Sequence, residues 1–99
     1  MIDQQTVTTE DVQNACRQLG IRDWTQLKDS TVELSEARIV RKIVGGEALS
    51  VSTEEFKSGL EIELEHGRKY VDANITNNHP VLTGRIVLAH LKEGLDYYL

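Results

Sequence analysis

Two short motifs in this sequence pair a carboxylate with an imidazole at helical spacing. Glu63 and His66 form a Glu-x-x-His pair in "GLEIELEHG", and His90 and Glu93 form the mirrored His-x-x-Glu pair in "AHLKEG". Residues three apart lie on the same side of an α-helix, so each pair can act as a unit. Pairs of this kind build metal sites between the helices of bundles, form buried hydrogen-bond networks, or carry acid–base catalysis.

Glu63 is the member of these pairs that we expect to face the core. At about 100° per residue it falls beside Phe56, on the face that also carries Leu64, and Gly59 one turn earlier leaves room beside it. Burying a carboxylate without a partner costs several kcal/mol or raises its pKa. We therefore expect Glu63 to have a partner, and His90 or its neighbours are the prediction, by a hydrogen bond in preference to a shared metal. Glu61 and Glu65 should point to the opposite, solvated side.

The positions of apolar residues and of turn residues predict the elements that hold these side chains. A first helix is expected over about residues 10–19, capped by Thr8 or Thr9, with Cys16 in the core. A second spans about residues 31–44 and ends at Gly45–Gly46, although its β-branched residues leave a strand open as an alternative. A third begins at Ser52 with a capping box and closes on His66–Gly67. A fourth covers residues 80–93, and together they predict an all-α, compact bundle of about four helices in a single domain, residues 1–99.

The second half of the chain resembles a bacterial family of unknown function, the domain of unknown function 5661. The resemblance rests on a Glu-Leu-Glu-His-Gly block, an Asn-x-Thr…Pro-x-x-Thr-Gly segment, Ala-His-Leu-x-Glu, and Asp-Tyr-Tyr. It covers residues 54–99, with a weaker echo over 8–24, so residues 31–44 are expected to be an extra helix of this member. The matching positions are Glu63–Gly67, Asn74, Thr76, Pro80, Thr83, Gly84, Ala89–Leu91, Glu93 and Asp96–Tyr98. His79, in the loop before Pro80, is interpreted as a turn residue in preference to a ligand. The family pattern carries an acidic residue where His79 stands, which also argues against His79 as a ligand.

Composition excludes several classes of function. The net charge is −5, with no cluster of Lys and Arg of the kind that nucleic-acid binders carry. No apolar run approaches the ~20 residues that span a bilayer, and the N-terminus lacks a signal-peptide pattern. A single cysteine cannot form an internal disulfide. We expect a cytoplasmic protein with no nucleic-acid or membrane partner.

Three function classes remain, in order of preference. The first is a non-enzymatic module that binds an as yet unknown protein partner, with Trp24, Tyr97 and Tyr98 as exposed anchors. For Trp24 the alternative is packing against the core, which is the usual role of a lone tryptophan in a small domain. The second is a metal-binding domain whose ligands would be Glu63, His66, His90 and Glu93, and no other cofactor is expected. The third, a small hydrolase or lyase using a Glu/His pair, ranks last because the sequence has no nucleophile motif or phosphate-binding loop.

Overall fold

Four α-helices carry the fold in the computed structural model, which describes residues 7–99. They are α1 (Thr9–Leu19), α2 (Leu34–Val44), α3 (Thr53–Lys69) and α4 (Pro80–Glu93), with short 3₁₀ turns at Trp24–Gln26, Gly46–Ser50 and Val71–Ala73. No residue of 7–99 lies in a strand. The radius of gyration of 12.8 Å is close to the ~13 Å of a compact domain of this length. The prediction of an all-α bundle of about four helices is confirmed.

The predicted helix starts are explained by side chains that cap free backbone N–H groups. Thr8 accepts from the backbone N–H of Asp11, and the Asp11 carboxylate accepts from the N–H of Thr8. Ser52 and Glu55 make the same reciprocal pair at the start of α3. Each pair satisfies two N–H groups that have no partner within the helix.

Two helix boundaries differ from the sequence prediction. The second helix begins at Leu34 rather than near residue 31, and the strand alternative for this segment is wrong. The third continues to Lys69 instead of closing on His66–Gly67. Gly67 thus lies inside α3, where its missing side chain makes room for Asn74: a Cβ atom there would stand 2.8 Å from the Asn74 Cγ atom.

The core lies where α2, α3 and α4 meet, with α1 and the Trp24 turn closing one side. Gly84 allows α4 to approach α2 closely, since a Cβ at this position would lie 2.7 Å from a methyl carbon of Val40. Gly59 does the same between α3 and α4, where a Cβ would lie 2.9 Å from Val87 Cγ1. The fully buried apolar side chains are Val12, Trp24, Val32, Ala37, Val40, Ala48, Phe56, Leu60 and Val87. Cys16 is buried with them, as predicted.

Glu61 and Glu65 are not free solvent charges, so that prediction is wrong. Glu61 accepts a 2.8 Å hydrogen bond from the backbone N–H of Val32 and pairs with Lys57. Glu65 accepts a 2.7 Å hydrogen bond from the Ser30 hydroxyl. The outer face of α3 therefore holds the segment that leads into α2, a long-range contact that helical periodicity within α3 cannot reveal.

Candidate functional site

Three polar side chains from separate parts of the chain meet between α3 and α4. The Tyr98 hydroxyl donates a 2.7 Å hydrogen bond to Glu63 Oε2. His90 Nδ1 lies 3.1 Å from the same carboxylate oxygen and 2.9 Å from the Tyr98 oxygen. We call Glu63, His90 and Tyr98 the Glu–His–Tyr cluster.

The cluster depends on how the chain leaves α4. Gly94 ends the helix with an extended backbone, and turns that follow bring the last residues back towards α3. The Tyr98 ring then lies over Gly59, where a side chain would collide with it. The space that Gly59 was predicted to leave beside Glu63 is thus filled by the Tyr98 ring, whose hydroxyl donates to Glu63.

The tyrosine before Tyr98 covers the histidine from outside. The rings of Tyr97 and His90 are stacked, with centroids 4.3 Å apart and planes 8° from parallel. Tyr97 itself is half exposed. This stacking and the bond to Glu63 together fix the orientation of the His90 ring.

The proton positions follow from the donors and acceptors in the cluster. Burial and the bond to the Glu63 carboxylate raise the pKa of Tyr98 far above its ordinary value of 10.0, so its hydroxyl stays protonated and donates. The Tyr98 oxygen and Glu63 Oε2 can then both accept from His90, which places a proton on Nδ1. Within residues 7–99, Oε2 takes all the hydrogen bonds that the Glu63 side chain makes.

A cleft of about 280 Å³ opens beside the cluster, between α3, α4 and the segment that joins them. Glu63 and Thr83 supply polar groups to its wall, and Tyr70, Ile75 and Ile86 supply apolar ones. The Thr83 side chain is buried, and its hydroxyl donates a long 3.4 Å bond to Thr76 Oγ1. The Glu63 side chain is 9% exposed, so the cleft reaches a carboxylate that is otherwise enclosed by protein.

The structure separates the four residues of the two Glu/His pairs. Glu63 and His90 are in contact, whereas His66 is exposed and its Nδ1 lies 3.8 Å from Glu63 Oε1, beyond hydrogen-bonding distance. Glu93 is exposed, and its side chain makes no hydrogen bond or ion pair within the described part of the chain. Over residues 7–99, no three His, Cys, Asp or Glu side chains converge in a way that could hold a metal ion.

The three predicted anchors for a partner also lie in different environments. Trp24 is fully buried, which agrees with its interpretation as a residue that packs against the core and excludes it as an exposed anchor. The ring packs in the hydrophobic core, and its indole N–H donates a 3.3 Å hydrogen bond to the buried carboxylate of Glu36. Tyr98 belongs to the Glu–His–Tyr cluster, and Tyr97 alone presents a half-exposed ring to solvent.

Sequence reasoning missed a second enclosed carboxylate, Glu36, which is only 2% exposed. Its two oxygens accept from the Arg22 guanidinium at 2.7 and 3.0 Å, from the Trp24 indole, and from the backbone N–H groups of Arg22 and Glu33. Burial alone would raise the pKa of Glu36, but these donors outweigh burial and lower it. A signal was present: Glu36 lies one turn before the buried Val40 and beside Ala37 on the inner face of α2.

His79 acts as a helix cap, in agreement with its interpretation as a turn residue. Its Nδ1 accepts from the backbone N–H groups of Val81 and Leu82, at 3.2 and 3.4 Å. Both bonds require an unprotonated Nδ1, and burial correspondingly lowers the pKa of His79, against the opposing charge of Asp11. Pro80 occupies the first helical position that follows.

Fold and site define a small all-α domain in which a partly buried Glu–His–Tyr cluster borders an open cleft. No described helix has the length and apolar character needed to cross a membrane. Residues 12–99 match the sequence model of the family described as "Protein of unknown function (DUF5661)", and the chain belongs to that family. The matched range includes α2 as well as the segments that carry the sequence resemblance. No curated protein and no solved structure matches the chain.

Proposed function

We propose that this domain is a non-enzymatic, cytoplasmic protein-interaction module that binds a segment of a partner protein in the cleft beside Glu63. The observation that carries the proposal is the composition of the cleft: an apolar, exposed rim around an enclosed carboxylate. Such a combination provides contact area at the rim and a polar group that fixes the orientation of what binds.

The rim supplies the apolar contacts. Tyr70 and Ile75 line the cleft and are 60% and 77% exposed, and the neighbouring Val71 is 75% exposed. Contiguous exposed apolar side chains of this kind mark interaction surfaces in soluble proteins, and tyrosine is enriched among the residues that dominate binding energy. A partner segment that covers this rim would gain most of its affinity there.

Charge limits the partner to a neutral or basic segment. The chain has a net charge of −5, and Glu63 is the acidic group in the cleft wall. An acidic segment would be repelled, whereas a basic one would be drawn in over a distance of about 8–10 Å at physiological salt. The acidic balance, and a single buried cysteine that needs no oxidising compartment, support the cytoplasmic location.

The test is selection of binding peptides from a displayed library on the purified protein, followed by NMR mapping of the residues that shift. We expect the selected peptides to shift residues of α3, α4 and 70–76. Ile75→Ser should weaken binding, while Ile43→Ser, at an exposed isoleucine outside the cleft, should not. Selected peptides that all shift other surfaces, or bind Ile75→Ser as well as wild type, would remove the proposal.

A metal site remains a second candidate because Glu63 Oε1 and His66 Nδ1, two potential ligands, lie 3.8 Å apart at the cleft. Elemental analysis after repletion with Zn, Fe or Mn, together with the change in melting temperature on adding a chelator, tests it. A stoichiometric metal that is lost in His66→Ala would favour this candidate over peptide binding in the same place. The absence of stoichiometric metal after repletion would remove it.

A further inference from the structure

The two oxygens of Glu63 are in different states. Oε2 accepts from Tyr98 and lies in contact with His90. Oε1 takes no hydrogen bond from any side chain or backbone group of residues 7–99, and His66 Nδ1 lies 3.8 Å from it. The cleft thus contains one carboxylate oxygen that is held in place by the bonds on its partner oxygen and is itself free to accept.

The Thr83 hydroxyl provides a second acceptor in the same cleft. Thr83 lines the cleft, and because its hydroxyl donates its proton towards Thr76, its oxygen can still accept a hydrogen bond. A ligand group that fits both residues must be a donor, and its positive charge would offset the negative charge of Glu63. Whether a lysine or an arginine side chain binds better depends on how many oxygens of the Glu63 carboxylate are free to accept. Arginine gains most from a two-oxygen fork, which Glu63 cannot offer because Oε2 is occupied, whereas lysine binds as a compact charge with three donors.

We propose that the partner segment inserts a lysine side chain into this cleft, with its ammonium group on Glu63 Oε1 and its methylene stem along Ile75 and Ile86. This inference rests on the proposed function and adds to it the chemistry of the bound residue. The apolar cleft wall suits the aliphatic stem, and the enclosed oxygen suits the charge at its tip. The Tyr98 and His90 bonds act as positioning contacts, because they hold Glu63 in the orientation that presents Oε1 to the cleft.

The experiment uses the peptides selected for cleft binding, with each lysine replaced in turn by norleucine or arginine. Affinities are measured by calorimetry for wild type, Glu63→Gln and Glu93→Gln. Glu63→Gln keeps an oxygen that can accept from Tyr98 but removes the charge, and Glu93→Gln removes the same charge from an exposed position. We expect one lysine per peptide whose replacement by norleucine weakens binding to wild type at least about tenfold, in line with a charged hydrogen bond in a partly enclosed site.

Glu63→Gln should weaken the lysine peptide to the same degree and leave the norleucine peptide unaffected, while Glu93→Gln changes either by less than about twofold. Equal binding of lysine and norleucine peptides to wild type, or tighter binding of arginine peptides, would overturn the inference. If Ile75→Ser still weakened the binding of those peptides, the proposed function would stand although the lysine inference had failed. If no peptide bound the cleft, both would fail. The norleucine comparison needs only wild-type protein, so it decides the matter even if Glu63→Gln does not fold.

Discussion

The ring of Tyr98 lies directly on Gly59, so that a Cβ atom at Gly59 would stand 3.1 Å from two of the ring carbons. This contact joins the end of the chain to the middle of α3. It also brings the Tyr98 hydroxyl to Glu63, one helical turn further along the same face. Gly59 therefore makes room for the Glu–His–Tyr cluster without contributing a polar atom to it.

Replacement of this glycine should disturb the cluster. In Gly59→Ala the new methyl group would meet Val87 at 2.9 Å as well as the Tyr98 ring. Overpacking of this kind costs about 1–3 kcal/mol, which outweighs the ~1 kcal/mol that alanine gains over glycine in a helix. We expect a loss of about 1 kcal/mol in the free energy of unfolding, measured by urea denaturation, and shifted NMR signals for Tyr98. Ser58→Ala, at the exposed neighbouring position, is the control and should be neutral or stabilising. An alanine at 59 that raised stability as much as the control would contradict the close contact.

The hydroxyl groups of the two adjacent tyrosines should differ in their contribution to stability. Tyr98→Phe removes a donor to an enclosed carboxylate and should lower the free energy of unfolding by about 1–2 kcal/mol. Tyr97→Phe removes a hydroxyl that makes no hydrogen bond within the described range and should stay within about 0.5 kcal/mol of wild type. Denaturant unfolding of both variants checks this, because the two changes remove the same atom from neighbouring residues. Equal losses would mean that the bond from Tyr98 to Glu63 does not stabilise the fold.

The buried ion pair of Arg22 and Glu36 should contribute more to stability than the Glu–His–Tyr cluster does. Glu36 accepts five hydrogen bonds on two oxygens. A glutamine has one acceptor oxygen, and its amide would face the Arg22 guanidinium with a second donor. Glu36→Gln should therefore cost about 2–3 kcal/mol by thermal or urea unfolding. Glu33→Gln is the matched control: its carboxylate is 57% exposed and lies 3.6 Å from Arg22, so its loss should stay below about 1 kcal/mol.

Local sequence patterns predicted most of the fold. The capping residues Thr8 and Ser52, and the helix ends at Gly45 and Gly94, are encoded within a few residues of the boundaries that they set. Gly67 shows the limit of such reasoning. A histidine followed by glycine is a common helix end, but here the glycine is needed for a contact with Asn74, which no local pattern shows.

The candidate site was predictable where it depended on one helix and unpredictable where it depended on the tertiary fold. The inward position of Glu63 follows from periodicity, and its expected contact with His90 follows from the cost of an unpartnered carboxylate. Tyr98 was foreseen only as a surface anchor, because its place in the cluster depends on the turn after Gly94. Glu36 escaped notice because its partner Arg22 comes from an irregular segment whose position is set by tertiary packing.

The His79 cap at the start of α4 should make the stability of the fold depend on pH between about 7 and 5, above the range in which most carboxylates titrate. The pKa of His79 in the folded chain is lowered from its ordinary 6.5. As the pH falls, the His79 ring is therefore protonated in the unfolded chain before it is protonated in the folded chain. The contribution of His79 is therefore fully present above about pH 6.5 and is lost below it, as the cap to Val81 and Leu82 is broken. His79→Asn keeps a capping side chain but does not titrate. We expect wild type and His79→Asn to have similar melting temperatures near pH 7.5, and wild type to lose more than the variant between about pH 7 and about pH 5. Because all other titrating groups are common to both proteins, parallel pH profiles would show that His79 does not cap α4 through an unprotonated ring nitrogen.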